Sequence, residues 1–532
     1  MISSRKYPIG IQSFDSIRRD GYIYVDKTPL IYKMITEGKS FFLSRPRRFG
    51  KSLLCSTLAA IFEGRRDLFE AFTTEYGIEQ PQLFIATTNW RWEKHPVLRF
   101  DFSAGDLRTI DQLDALIDDT LTNYEQEFGI IPSTTEVNIR MKHLLRQSHE
   151  QMGKRAVVIV DEYDNFILHS IGDKDMANLA RQRFQNLFSP LKEMDDHLQF
   201  VFVTGISKFS QMGIFSKLNQ LNNISMDNAY DSICGISEEE FTTKLRPDIE
   251  QMAENKGESF DDMVVELKKM YDGYHFSESL TDIYNPFSIV NAFGSGNLKD
   301  YWFSSGTSRA LIDMLAKMPP IEMAQIEGLR MPSTAFDLPL ESFDDPLPLL
   351  YQSGYITIKD YQPDRGLFTL GFPNHEVRTG FADCLYRHVT QSKPSDASRA
   401  ALLDAYYDFR DSDDLPTFME TIKTFFASVP YQLDNANEHH YHALLYTLLT
   451  AFGADVSAEE SSAKGRADII LRMPKTIYVI EIKYDGTAQQ ALDQIDDKGY
   501  AKKYRFDSRN IVKVGVNFSS KDRNIESWLI NS

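Results

Sequence analysis

One short segment, Arg45-Pro46-Arg47-Arg48-Phe49-Gly50-Lys51-Ser52, carries the side chains needed to hold a nucleoside triphosphate. Gly50 lets the backbone approach phosphate closely, Lys51 can reach the β- and γ-phosphates, and the Ser52 hydroxyl can bind Mg²⁺. Arg48 and Phe49 complete the set of nucleotide-contacting positions, and Arg47 and Arg48 suit either phosphate or an acidic partner. The wider phosphate-loop pattern begins with Gly; here Arg45 stands in that place. A second set of acids closes an apolar run: Ala156–Val160 ends in Asp161-Glu162. An Asp at the tip of a buried strand can hold the water shell of Mg²⁺, and a neighbouring Glu can polarise the attacking water. A solvated strand end is the plainer reading of the same residues. A third run, Val201–Thr204, leads into Gly205-Ile206-Ser207-Lys208, where Thr204 or Ser207 can sense a γ-phosphate or simply close a strand with a polar turn.

Near the C-terminus a different chemistry is spelled out. Asp468 and Glu481 are separated by 12 residues and Lys483 follows two positions after Glu481. Asp468 begins one apolar strand pattern and Glu481 closes the next, so a hairpin brings both carboxylates to one sheet edge. With the carbonyl of Ile482 they make an all-oxygen site for Mg²⁺ or Mn²⁺. Lys483 shares a face with Glu481 and can orient or deprotonate water and stabilise charge on a phosphate. A surface Glu-x-Lys on an edge strand is the plain alternative. Downstream, Lys498, Lys502, Lys503, Arg505, Arg509 and Lys513 form a basic cluster that can follow a phosphate backbone or sit on a solvated helix face.

The elements that must position these residues are legible from periodicity. Ser40–Leu43, Val97–Phe102, Ala156–Val160 and Gln199–Thr204 read as short buried strands, with helical patterns Lys51–Phe62, Thr109–Phe128 and Asp175–Met194 between them. That alternation means an α/β fold with a parallel sheet and helices on both faces. Ser232–Cys234 reads as a fifth short strand. From Glu238 to about Leu315 the pattern is mostly helical, and the Pro-rich stretch Met318–Pro348 follows. Tyr355–Lys359 and Leu367–Gly371 read as strands paired across a turn at Pro363–Gly366. Helices run from about Val377 to Gly453, and strands return at Ala454–Ser457, Arg466–Leu471, Thr476–Lys483 and Ile511–Asn517, with a helix at Ala488–Tyr500. Boundaries are expected at 1–236, 237–317, 318–384 and 385–532.

Bulk properties narrow the class. At 42% hydrophobic and 25% charged, the chain of 532 residues is an ordinary globular composition with room for several domains. A net charge of −18 argues against a general nucleic-acid coat protein while leaving local basic grooves open. Cys55, Cys234 and Cys384 are scattered, which fits a reducing compartment and disfavours zinc or disulfides. The first residues lack a signal-peptide stretch and the apolar runs are too short to cross a bilayer, so a cytoplasmic protein without membrane partners is expected. His439, His440 and His442 on a helical pattern, and the aromatic turn Tyr271–His275, are assigned no chemistry.

Together, Tyr7–Gly10, Tyr24–Thr28, Phe42–Ser52 and Val160–Asp164 resemble the bacterial AAA-ATPase-like family whose members are fused to a C-terminal PD-(D/E)XK nuclease-like domain. The resemblance extends to Tyr271–Tyr274, Asn285–Ser288 and Ser353–Tyr355, and Arg45 agrees with that family's own phosphate loop. It implies an ATPase core followed by a helical lid, with Asp26, Lys27 and Thr28 near the nucleotide. The Asp468, Glu481, Lys483 spacing resembles the PD-(D/E)XK fold, which implies Glu459 as an extra acid at the metal and Gln494 as a site-lining residue; Ala467 replaces the usual Pro. The expected function is ATP binding and hydrolysis coupled to a metal-dependent nuclease, DNA being favoured over RNA as substrate. The competing reading is an ATP-dependent switch or scaffold that binds nucleic acid or protein without cutting. A homo-oligomer is compatible with either.

Overall fold

The computed structural model describes residues 5–103, 107–170, 173–207, 220–305, 326–332, 336, 347–390, 397–427, 438–462 and 465–531. The chain divides into two compact units, the first built mainly from Met1–Trp302 and Gly328–Asn374, the second mainly from His375–Ser532.

The first unit is organised by five parallel strands: β1 (Ser40–Ser44), β2 (Val97–Asp101), β3 (Ala156–Asp161), β4 (Leu198–Gly205) and β5 (Asn222–Asn223). Their order across the sheet is β2-β3-β4-β1-β5, so β4 separates the strand of the phosphate loop from the strand ending in Asp161. Every residue of β1 and β3 is buried, as expected of strands covered on both faces. Helices Lys51–Phe62, Ile110–Glu127, Val137–Met152 and Lys174–Phe188 supply that cover. The last of these stops at Phe188 because Pro190, which has no N–H to donate, restarts the chain as a separate turn, Pro190–Glu193. The expected strand at Ser232–Cys234 is not formed. Residues Asn228–Ile233 make a 3₁₀ turn capped by Asp227, and β5 takes the sheet edge instead. The Arg45 guanidinium donates to the carbonyls of Tyr230 and Asp231 within this turn.

Beyond β5 the first unit continues through helices Glu238–Lys244, Arg246–Lys256, Phe260–Tyr271 and Pro286–Ser295. It also contains a small antiparallel sheet of β6 (Leu329–Pro332), β7 (Thr357–Gln362) and β8 (Leu367–Gly371), ordered β6-β8-β7. The turn joining β7 to β8 ends at Gly366 with φ +60, at the expected place. Strand β6 comes from the Pro-rich stretch, most of which lies outside the described residues, as do Lys208 and the end of the helical region near Leu315.

In the second unit, β9 (Asp455–Ser462), β10 (Gly465–Arg472), β11 (Thr476–Tyr484), β12 (Asn510–Ser519) and β13 (Asn524–Asn531) lie in sequence order across one sheet. All neighbours are antiparallel except β11 and β12, which run parallel with helix Ala488–Lys498 as their crossover. The helix packs closely on β12: a Cβ at Gly515 would collide with the Ala488 carbonyl and stand 3.0 Å from the Leu492 nitrogen. Strand β13 was not expected; its face is half polar and carries no buried run to mark it.

Candidate functional site

The phosphate-loop region is built from the ends of β1 and β3. Gly50, at φ 95, turns the chain into the helix Lys51–Phe62, so the free N–H groups of the first turn face the loop. Lys51 Nζ donates to the carbonyls of Arg45 and Pro46, each at 3.0 Å, and thereby folds the loop over itself. Arg45 is directed into the protein: it is 1% exposed, binds the Ser225 carbonyl at 2.8 Å and lies 4.2 Å over the Phe276 ring. It therefore braces the loop from behind. Further support comes from residues distant in the chain: Trp302, which sequence patterns did not single out, and Gly354, which the resemblance included without a role. Trp302 Nε1 donates to the Arg47 carbonyl at 3.0 Å, and Gly354 packs so tightly against Pro46 that a Cβ would stand 2.6 Å from the proline ring. Phe49 is buried edge-on to Tyr274 and Phe276, so it anchors the loop and does not face solvent. Arg48 is exposed and lies 4.9 Å over Phe287.

Asp161 is 1% exposed, and neither carboxylate oxygen has a hydrogen-bond partner. Burial pushes its pKa up to about 6, opposed by the nearby Ser52 hydroxyl and the Lys51 charge. A buried acid is costly unless a cation meets it, and the Ser52 hydroxyl and the Asp161 carboxylate are hard oxygen donors that could hold one. Asp101, the residue in register with Asp161 on β2, also raises that pKa and is held by Ser103. Its position at a strand tip was the signal that pattern reading passed over. Glu162 takes a left-handed φ of 49, a strained backbone for a side chain, and lines an open cleft of about 420 Å³ with Arg47, Arg48, Lys51 and Ser52. Beside it, sharing Pro8, Gly50, Leu53, Pro286 and Val290, lies an apolar pocket of about 110 Å³ lined by Tyr24, Ile31, Cys234 and Ile236.

Other expected residues fall differently. Thr204 is fully buried and donates to the Leu43 carbonyl at 2.8 Å, so its hydroxyl is used within the sheet. Ser207 binds Asp164 through both its amide and its hydroxyl. Neither reaches the cleft. Lys27 lines the apolar pocket but pairs with Glu240, whereas Asp26 caps Thr28 and receives the Phe84 amide at 2.8 Å.

In the second unit, β10 and β11 pair so that Ile469 meets Ile480, which brings Asp468 and Glu481 together. The contact is direct: Asp468 Oδ2 accepts the Ile482 amide at 2.8 Å, and Glu481 Oε2 stands 3.4 Å from the Asp468 amide. Burial holds both carboxyls above their ordinary range; the Asp468 charge adds to the rise at Glu481 and the Glu438 charge to that at Asp468, opposed by the Ile482 amide at Asp468 and by Lys483 at both. Lys483 Nζ lies 3.5 Å from Glu481, 3.7 Å from Glu438 and 3.0 Å from the Ile482 carbonyl, placing the expected carbonyl ligand within the cluster. Gln494, from the crossover helix, donates to Glu481. Two residues of helix Glu438–Ala451 join them unannounced by spacing: Glu438, and His442, whose Nε2 lies 2.8 Å from the Asp468 carbonyl. His442 is thus a buried histidine satisfied by a backbone carbonyl, as read, and its ring stands beside Asp468. Glu459 lies between Ala458, paired with Ile469, and Glu460, paired with Ala467, so its backbone is across from Asp468; its side chain is outside the described residues. The basic cluster is partly neutralised, Lys513 by Asp496 and Arg509 by Asp507. Lys502, Lys503 and Arg505 stay exposed beside Phe506, itself 85% exposed.

These two sites fall within two family matches. Residues 8–215 match the model described as Predicted AAA-ATPase, and residues 436–528 match the PD-(D/E)XK nuclease superfamily. A relative described as "Uncharacterized protein in vnfD 5'region", from Azotobacter chroococcum mcd 1, is 33% identical over 547 residues, spanning 100% of both chains. No helix among the described residues is long and apolar enough to cross a membrane. With a parallel phosphate-loop sheet, a carboxylate–lysine site on a mixed sheet, and a relative similar from end to end, the chain belongs to the family that joins an AAA-ATPase-like module to a PD-(D/E)XK nuclease-superfamily domain.

Proposed function

We propose that this protein hydrolyses ATP in its first unit and cuts phosphodiester bonds of nucleic acid, DNA before RNA, in its second. The observation that carries the reading is a pair of buried carboxylate sites whose charge nothing in the protein fully balances: Asp161 beside Ser52 and Lys51, and Asp468 against Glu481. Both donor sets are hard oxygen ligands, which fits Mg²⁺ or Mn²⁺. When bound, such an ion neutralises phosphate charge and activates water.

In the ATPase module the apolar pocket receives the base and the open cleft the phosphates. Lys51 exchanges its bonds to the Arg45 and Pro46 carbonyls for phosphate oxygens, and the helix N-terminus adds N–H donors. Ser52 and Asp161 would hold Mg²⁺, and Glu162, at the cleft wall, takes the proton of the attacking water. In the nuclease-type domain Asp468, Glu481 and the Ile482 carbonyl would hold the metal. Lys483 stabilises charge on the phosphate, while Gln494 and His442 fix Glu481 and the Asp468 backbone. Exposed Lys502, Lys503 and Arg505 suit a polyanion.

The test uses purified full-length protein. Lys51→Ala should abolish ATP turnover, and Glu481→Ala or Asp468→Asn should abolish Mn²⁺-dependent cleavage of plasmid DNA. Unchanged ATPase activity in Lys51→Ala removes the first half. Wild-type protein that binds DNA but leaves plasmid, linear DNA and RNA intact with Mn²⁺ replaces the second half with the non-cutting scaffold.

A further inference from the structure

Away from both sites, the segment after helix Phe260–Tyr271 gathers a third set of acids. Glu238 opens the helix Glu238–Lys244, Asp272 follows Tyr271, and Asp282 precedes the short strand Ile283–Tyr284. One oxygen from each lies within 4.8 Å of the others, the reach of opposite oxygens on a Ca²⁺ ion at roughly 2.4 Å each. Asp272 is the telling member. It is 2% exposed, and neither of its oxygens accepts a hydrogen bond. Burial and the charge of Asp282 push its pKa up to about 7.

The surroundings orient the other acids. Tyr284 donates its hydroxyl to Glu238 at 2.6 Å, and His275 Nε2 stands 2.8 Å from Asp282 while its Nδ1 faces the Ile358 carbonyl. The centre is held by Lys268, whose Nζ lies 2.9 Å from Asp282, 3.3 Å from Glu238 and 3.4 Å from Asp272. Its side chain is 43% exposed on a flexible stem, so it can swing out to water. A single mobile ammonium against three carboxylates marks the position of a cation without supplying a full countercharge.

We propose that Glu238, Asp272 and Asp282 form a binding site for a hard divalent cation of Ca²⁺ size, which displaces the Lys268 ammonium. The site is distinct from the two described above. Its consequence reaches the phosphate loop, because Tyr274 and Phe276 of the same segment pack on Phe49, and the Gly235 amide donates to the Phe49 carbonyl at 3.0 Å. A bound cation cross-links the segment's two ends to the start of helix Glu238–Lys244 and holds that packing.

Full-length, nucleotide-free protein is titrated with Tb³⁺, a Ca²⁺ stand-in whose emission is sensitised by a nearby tyrosine such as Tyr284. A saturable emission that Ca²⁺ competes away is expected. Asp272→Asn and Glu238→Gln should each weaken that component at least tenfold, Lys268→Met should tighten it, and Asp161→Asn and Asp468→Asn should leave it in place. If Asp272→Asn does not fold, as judged by circular dichroism, Glu238→Gln decides alone. Emission unaltered in Glu238→Gln, or emission that disappears with Asp161→Asn or Asp468→Asn, overturns the proposal. So does wild-type protein with no saturable component, which leaves Lys268 as the permanent counterion.

Discussion

Replacing Asp161 with Asn should stabilise the nucleotide-free protein while destroying its ATP turnover. The carboxyl's ordinary value is 3.8, and burial, against the opposing Ser52 hydroxyl and Lys51 charge, raises it to about 6. The folded protein therefore holds the proton more tightly than the unfolded chain. Stability from this group is fully present below about pH 3.8 and is lost as pH rises through about 6. The rise from 3.8 to about 6 corresponds to about 3 kcal/mol at alkaline pH, a conversion suited to a group that is 1% exposed. Asn is a neutral match in shape for the protonated acid. The variant should lead by about 2–3 kcal/mol at pH 8, and by less than about 1 kcal/mol at pH 4. Urea denaturation followed by tryptophan fluorescence reads this, because Trp90, Trp92 and Trp302 lie in the first unit and Trp528 in the second. Added ATP·Mg²⁺ at about 100 times Kd should return about 2.7 kcal/mol to the wild type and much less to the variant. Equal or lower stability of Asp161→Asn at pH 8, or retained turnover, refutes the reasoning.

Three more outcomes follow from the same geometry. Arg45→Ala should lower the first unit's stability by about 3 kcal/mol in urea unfolding, because it strips the Ser225 and Tyr230 carbonyls of a buried cationic donor; a neutral effect would mean the guanidinium brace is idle. Gly515→Ala should destabilise the second unit by about 2–3 kcal/mol, read by Trp528, since the added methyl meets helix backbone and not a flexible side chain; ATP turnover should persist. Mn²⁺ affinity of the second unit should rise between pH 6.5 and pH 8.5, because Asp468 and Glu481 are both held above their ordinary range and must ionise to bind metal; the same affinity at both values, by calorimetry, would contradict the paired-carboxylate account.

Local sequence was sufficient wherever chemistry depends on neighbours in the chain. Gly50-Lys51-Ser52 at a strand-to-helix turn, and Asp161 at the end of a fully buried strand, need only a few residues of context to be read. The hairpin bringing Asp468 to Glu481 is nearly as local, because strand alternation and a short turn set its register. Tertiary structure decided what reaches these places from far away. Nothing near residue 45 says that its arginine is a brace for Ser225 and Tyr230, nor that Trp302 and Gly354 back the same loop. Thr204 was left open for a related reason: a strand-tip hydroxyl can face a ligand or the next strand, and in the structure it donates to the Leu43 carbonyl. His442 and Glu438 join the second site through helix packing, and Asp272 meets Glu238 and Asp282 because a chain reversal returns there. Periodicity fixes which face of an element is buried; which residues then meet across that face depends on packing between elements distant in sequence.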